Sequence, residues 1–245
     1  MGVLRDCKFF WGAYDLTGDT NKIDLVADAA MKDDTVYGDS ALSRAKGLED
    51  IKLAASGFLN LGAGQLEEAL MGALMATFAL EDIPVTIGLL TGAEGEAAHF
   101  FLGSHSNYKT GGPVGDMLPY SVDVIGRGTK LCRGNILQNG IELVTGTSTP
   151  FNLGLVASGK KLYGVLHVVA ASGTLPTLDV IVQSDALETF LSPTTRITFS
   201  QKTAIGYQWA TPIAGPISDD IWFRCQFTIG GTTPSFTLIV AVAIL

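Results

Sequence analysis

The sequence predicts a mainly β protein carrying one helix. Three observations predict it: turn signals at short intervals, short runs of apolar and β-branched residues, and a single stretch of helical periodicity. Gly is frequent, at 29 residues, and clusters in turn-like settings such as Gly111-Gly112-Pro113 and Gly230-Gly231. Closely spaced turns are what a many-stranded chain needs. A length of 245 residues suits one large all-β domain or two small domains, and either can bury a core without disulfides or metals.

Taken in order, strands are expected over 8–11 and 22–27, around a turn at Leu16-Thr17-Gly18-Asp19. Residues 28–47 are polar and acidic and are expected to form a long loop, of a length that usually serves a function. Strand character returns over 48–59. The helix is predicted over 65–78, where Leu66, Ala69, Leu70, Ala73, Leu74 and Phe78 keep the i, i+3, i+4 spacing of one apolar face. Glu67 and Glu68 fall in its first turn, where negative charge suits the helix dipole. With one apolar face, it is expected to lie against a sheet.

Further strands are expected over 84–90, 97–102, 118–125 and 129–137, with a second long loop over 104–116. The second half reads as strand almost throughout: 150–156, 161–170, 177–183, 195–200, 206–210, 221–229 and 235–244. Residues 161–184 read as a hairpin turning near Ser172-Gly173-Thr174. The last strand is apolar on both faces and should be covered on both, by a sheet on one side and by a helix or another subunit on the other. Two domains are expected, 1–135 with the helix and 136–245 as a second β-sandwich. A faint echo, with a glycine pair and a proline before strands at Pro119 and Pro234, raises a duplication as one origin of the second half.

Charged residues make up only 16% of the chain, against about 25% in an average protein. Much of the surface is therefore weakly defended against association, as befits faces covered by neighbours. The net charge of −8 lies in the first half: residues 1–130 hold 10 Lys/Arg against 18 Asp/Glu, and the remainder holds 6 against 6. That balance argues against nucleic-acid binding, which needs cations. Cys7, Cys132 and Cys225 are an odd number at wide spacing, neither a disulfide framework nor a zinc pattern. The opening Met1-Gly2-Val3-Leu4-Arg5-Asp6 has no apolar signal core and fits no myristoylation pattern. The apolar run 236–245 is too short for a membrane helix, so a soluble chain without an export route is expected.

Catalytic templates are missing. There is no G-x-S-x-G elbow and no P-loop, and Gly62-Ala63-Gly64 and Gly126-Arg127-Gly128 lack the third glycine of a dinucleotide loop. His99 and His105 have no zinc spacing, and His167 sits in an apolar strand. Asp33, Asp34 and Asp39 do not follow the EF-hand pattern, and Glu94 and Glu96 read as turn charges. Trp209, Trp222, Phe223 and Tyr207 form the one aromatic set a carbohydrate-binding sandwich would use, but in strands they read as core. No enzyme activity and no cofactor are expected. What remains is backbone: strands whose free edges offer unpaired N–H and C=O groups to a neighbour.

Three motifs in order carry a family likeness. Tyr14-Asp15-Leu16-Thr17-Gly18-Asp19-Thr20-Asn21 leads to Asp33-Asp34-Thr35-Val36-Tyr37-Gly38-Asp39, then to Gly47-Leu48-Glu49-Asp50-Ile51-Lys52-Leu53 and Ser56-Gly57-Phe58. Together they resemble the N-terminal part of tail tube (major tail) proteins of bacteriophages with long non-contractile tails. The likeness covers residues 9–60 well and the rest loosely. It implies a tail-tube-type β-sandwich or half-barrel with one flanking helix and an all-β second half. It also implies a loop reaching a neighbouring ring, with Asp33, Asp34, Thr35, Tyr37, Gly38, Asp39, Arg44 and Lys46 as its contact residues. The implied partners are copies of itself, in hexameric rings, or trimeric pseudo-hexameric rings if the second half is a duplicate. The tape measure protein, the tail terminator, distal tail proteins and passing double-stranded DNA complete the set, with no membrane. The implied location is the virion tail, after synthesis in the host cytoplasm. A head decoration or tail terminator protein is the rival reading.

Overall fold

The computed structural model describes residues 6–37, 40–61, 67, 82–113 and 115–245. The helix expected over 65–78 lies outside these residues, Glu67 excepted, as do Gly38 and Asp39. The described residues are mainly β. In chain order the strands are β1 (Lys8–Trp11), β2 (Tyr14–Asp15), β3 (Thr20–Asp33), β4 (Arg44–Phe58), β5 (Ile83–Gly88), β6 (Ala97–Thr110), β7 (Pro119–Gly126) and β8 (Cys132–Glu142). They continue with β9 (Gly146–Thr147), β10 (Phe151–Asn152), β11 (Lys161–Asp185), β12 (Thr194–Thr198), β13 (Gly206–Trp209), β14 (Ile213–Ala214) and β15 (Trp222–Ile244).

Two compact units are built from separated segments. The first comprises Met1–Gly18, Ile83–Phe101 and Cys132–Leu245; the second comprises Asp19–Asp82 and Leu102–Leu131. The boundary expected at 135/136 falls inside β8.

The first unit is organised by β11 and β15, which pair antiparallel from Leu162↔Ile244 to Asp185↔Trp222. The hairpin expected over 161–184 is therefore corrected: the chain does not turn back at Ser172-Gly173-Thr174 but runs on as one 25-residue strand. The turn signal there marks a bulge. Register shifts fall between Ser172 and Thr174 and between Thr174 and Thr177, and both strands bend at that point. The glycine pair Gly230-Gly231, expected to precede a strand, likewise lies inside β15.

β15 is buried on both faces, as its composition requires. Phe236, Leu238, Val240 and Val242 enter a core with Leu162, Leu166, Val168, Leu178, Val180, Val182 and Phe223. Ala241 and Ala243 face the other way, with Phe100, Cys132, Ile136 and Val165. Both covers come from this chain, so no second subunit is needed there. Removing a ring such as Phe236 would cost about 3–5 kcal/mol.

The second unit holds an antiparallel sheet in the order β3-β4-β7-β6. The long loop expected over 28–47 is corrected as well: β3 and β4 pair from Thr20↔Gly57 out to Asp33↔Arg44, leaving only 34–43 as the connection. The second long loop, expected over 104–116, also shortens, because β6 runs to Thr110. Residues 28–33 lack apolar alternation because they are largely exposed, so backbone pairing makes them a strand.

Candidate assembly interface

Period-two alternation gives the second unit's sheet two unlike faces. Ile51, Leu53 and Ala55 on β4 and Tyr120, Val122 and Val124 on β7 are buried on one face. Cross-strand register places Asp24, Ala54, Asp123 and Asn107 in one row of the other face, and Val26, Lys52 and Ile125 in the next. That face is largely exposed and carries two ion pairs and an amide–carboxylate hydrogen bond. Lys22 lies 2.7 Å from Asp24, Lys52 lies 2.7 Å from Asp50, and Asn107 donates to Asp123 at 3.0 Å. The Asp50 carboxylate raises the pKa of the Lys52 ammonium by hydrogen bonding and by charge.

The backbone edges of this sheet are open among the described residues. β3 pairs with β4 alone, which leaves the outer edge of a 14-residue strand without a ladder partner. β6 pairs with β7 from Gly103↔Gly126 to Thr110↔Tyr120. Long unpaired edges are templates for another strand.

The end of the β3–β4 hairpin holds the residues expected to reach a neighbour. Asp33 closes β3, and its carboxylate accepts from Thr35 N at 3.0 Å and Thr35 Oγ1 at 2.6 Å. These bonds hold its pKa below the usual carboxylate value. Asp34 N donates to Ser43 O at 3.2 Å, and Ser43 N donates to Thr35 Oγ1 at 3.0 Å, closing the tip across the hairpin. Tyr37 is fully exposed. Arg44 and Lys46 are not loop residues but open β4, and Lys46 Nζ lies 2.5 Å from Glu49 Oε1. That hydrogen bond, with the nearby charge of Lys130, lowers the pKa of Glu49. Residue-type spacing located the acidic tip but missed its apolar part: Met31, Val36, Leu42 and Leu48 are all exposed, Leu48 by 88%. Large apolar side chains in a polar, thinly covered stretch were the available signal.

The other candidate residues take structural places. Phe223 is fully buried, and Trp209 packs against Phe100 at 5.6 Å and Tyr163 at 6.2 Å between ring centroids. His167 is fully buried. Its Nδ1 donates to Gly12 O at 2.7 Å and its Nε2 accepts from Thr86 Oγ1 at 2.7 Å, the tautomer these partners require. Burial pushes its pKa down to about 4. Among the described residues, no group of three His, Cys, Asp or Glu side chains is gathered as a metal site.

No family model and no curated protein matches the chain. Solved structures match the chain at low identity and low TM-score. One is the Dit protein of phage SPP1, 13% identical, covering 98% of this chain and 100% of that chain with a TM-score of 0.35. A component of the native gene transfer agent virion is 11% identical, covers 53% of this chain and 96% of its own, and has a TM-score of 0.40. A chain of the activated phage p2 baseplate is 9% identical over 98% of each chain, with a TM-score of 0.36.

Proposed function

We propose that this chain is a non-enzymatic structural subunit of a bacteriophage tail. It assembles with copies of itself into a ring through the edges of the β3-β4-β7-β6 sheet. One observation carries the reading: that sheet ends on a 14-residue strand whose outer edge has no partner among the described residues. Joining β3 of one copy to β6 of the next satisfies both edges, and closure removes them. The ordered motifs over residues 9–60 supply the tail assignment, and with it the tube: rings stacked into a conduit for DNA. The first unit, with its path β12-β11-β15-β8-β6-β5-β1-β2, does not repeat the second unit's strand order. That supports six chains per ring over three.

Negative-stain microscopy of a concentrated sample should show rings, and class averages down the axis should count six subunits. A chain that stays monomeric at every concentration would sink the proposal.

A further inference from the structure

We infer that the outward face of β10, β15 and β11, around Trp222, Arg224 and Gln183, is a binding site for a neutral oligosaccharide. The inference is independent of the ring reading above. The core takes Phe223, Cys225 and Phe227 of β15 with Val180 and Val182 of β11, so the alternate residues Trp222, Arg224 and Gln226 turn outward. Trp222, read from the sequence as core, is only partly buried there. Register sets Asn152, Trp222 and Asp185 in one cross-strand row, and Arg224 beside Gln183 in the next. From Trp222 to Gln226 the face runs about 14 Å, the reach of a chain of sugars rather than of one ring.

The site is preorganised and its donors are open. The Asp185 carboxylate accepts from Leu187 N at 3.0 Å and Ser192 N at 2.8 Å, closing the turn after β11. Phe190 of that turn is buried, and the Arg224 guanidinium carbon lies 4.3 Å from its ring centroid. Arg224 Nε donates to Gln183 Oε1 at 3.0 Å. That bond fixes both side chains and leaves the Gln183 Nε2 as the free end of its amide. Gln183 is 7% exposed, yet its Nε2 has no partner among the described residues and is not enclosed. The terminal nitrogens of Arg224, the Trp222 indole N–H, the Asn152 Nδ2 and the Gln226 amide are likewise without partners among the described residues. Sugar hydroxyls accept from guanidinium, indole and amide N–H groups and donate to an amide oxygen. The flat indole covers the C–H face of a sugar ring. The charges of Asp185 and Arg224 act on each other, so the site is close to neutral and favours a neutral ligand over an anion.

The test screens the full chain against an array of neutral and acidic oligosaccharides, then titrates a neutral binder while tryptophan fluorescence is read. The parent should retain neutral glycans, and its fluorescence should change on binding. Trp222→Ala should abolish the fluorescence change and weaken binding by at least about tenfold. Gln226→Ala should weaken binding by about threefold or more. It removes an amide that makes no bond within the chain, so it should melt like the parent, and its loss of affinity reads the site rather than the fold. A parent that retains no neutral glycan, or binding that both variants leave unchanged, overturns the inference. Retention confined to acidic glycans and abolished by salt overturns it too, because the face would then be reading charge.

Discussion

Gly173-Thr174-Leu175-Pro176-Thr177 in β11 and Gly231-Thr232-Thr233-Pro234-Ser235 in β15 share one pattern and one backbone shape. The glycines have φ of +115° and +111°, and Leu175 and Thr233 have φ of +49° and +48°. Thr174 pairs with Thr232, so the two segments are related by a local two-fold axis. A Cβ on Gly173 would stand 2.8 Å from Thr233 O, and one on Gly231 would stand 2.7 Å from Leu175 O. Gly173→Ala and Gly231→Ala should each cost about 1–3 kcal/mol, measured by denaturant unfolding. Gly154→Ala, at φ +79° with open space around it, should cost about 1 kcal/mol. Equal losses at all three positions would refute the crowding argument. His167 gives a second prediction at this scale. Its folded pKa of about 4 lies below the unfolded value near 6.5, so the folded state binds fewer protons. The contribution is fully present above pH 6.5 and is lost as pH falls toward 4. Stability should drop by about 2–3 kcal/mol from this group between pH 7 and 4.5, and His167→Gln should flatten that slope while lowering stability at pH 7.

At the scale of an element, β3 lets folding and the proposed assembly be tested apart. In an antiparallel strand successive residues turn their N–H groups to opposite sides. Of Val26 and Ala27, one therefore faces the β4 ladder and the other faces the open edge. Proline at the inward position should lower the melting temperature, because a ladder bond is lost. Proline at the outward position should leave melting nearly unchanged and abolish ring formation by microscopy. Equal effects of both substitutions on assembly and on melting would show that the outer edge is not the joint. This element also shows where sequence reading stops. Over 28–33 neither face is buried, so the period-two signal that marks a half-buried strand is absent, and only the partner strand makes it β.

At the scale of the whole molecule, the net charge of −8 is not a bare acidic surface. On the exposed face of the β3-β4-β7-β6 sheet, Lys22 and Lys52 are held by Asp24 and Asp50. The chain should not retain duplex DNA in a filter assay even at about 50 mM salt, where phosphate contacts are strong. Asp24→Asn with Asp50→Asn should introduce salt-sensitive retention, and retention by the parent chain would contradict the reading.

The sequence by itself determined the β content, the acidic first half, the burial of the last strand on both faces, and the core places of Phe223 and His167. These follow from side-chain chemistry, which is local. Only the tertiary structure decided which runs pair. Ser172-Gly173-Thr174 reads as a turn because glycine permits one, and it became a bulge because β15 presents the same segment opposite it. Residues 28–33 and 44–47 read as loop because nothing buries them, and they became an arm because each is the other's ladder. Pairing is made by backbone groups that every residue carries, between segments distant in the chain, so composition leaves it open and only the fold resolves it.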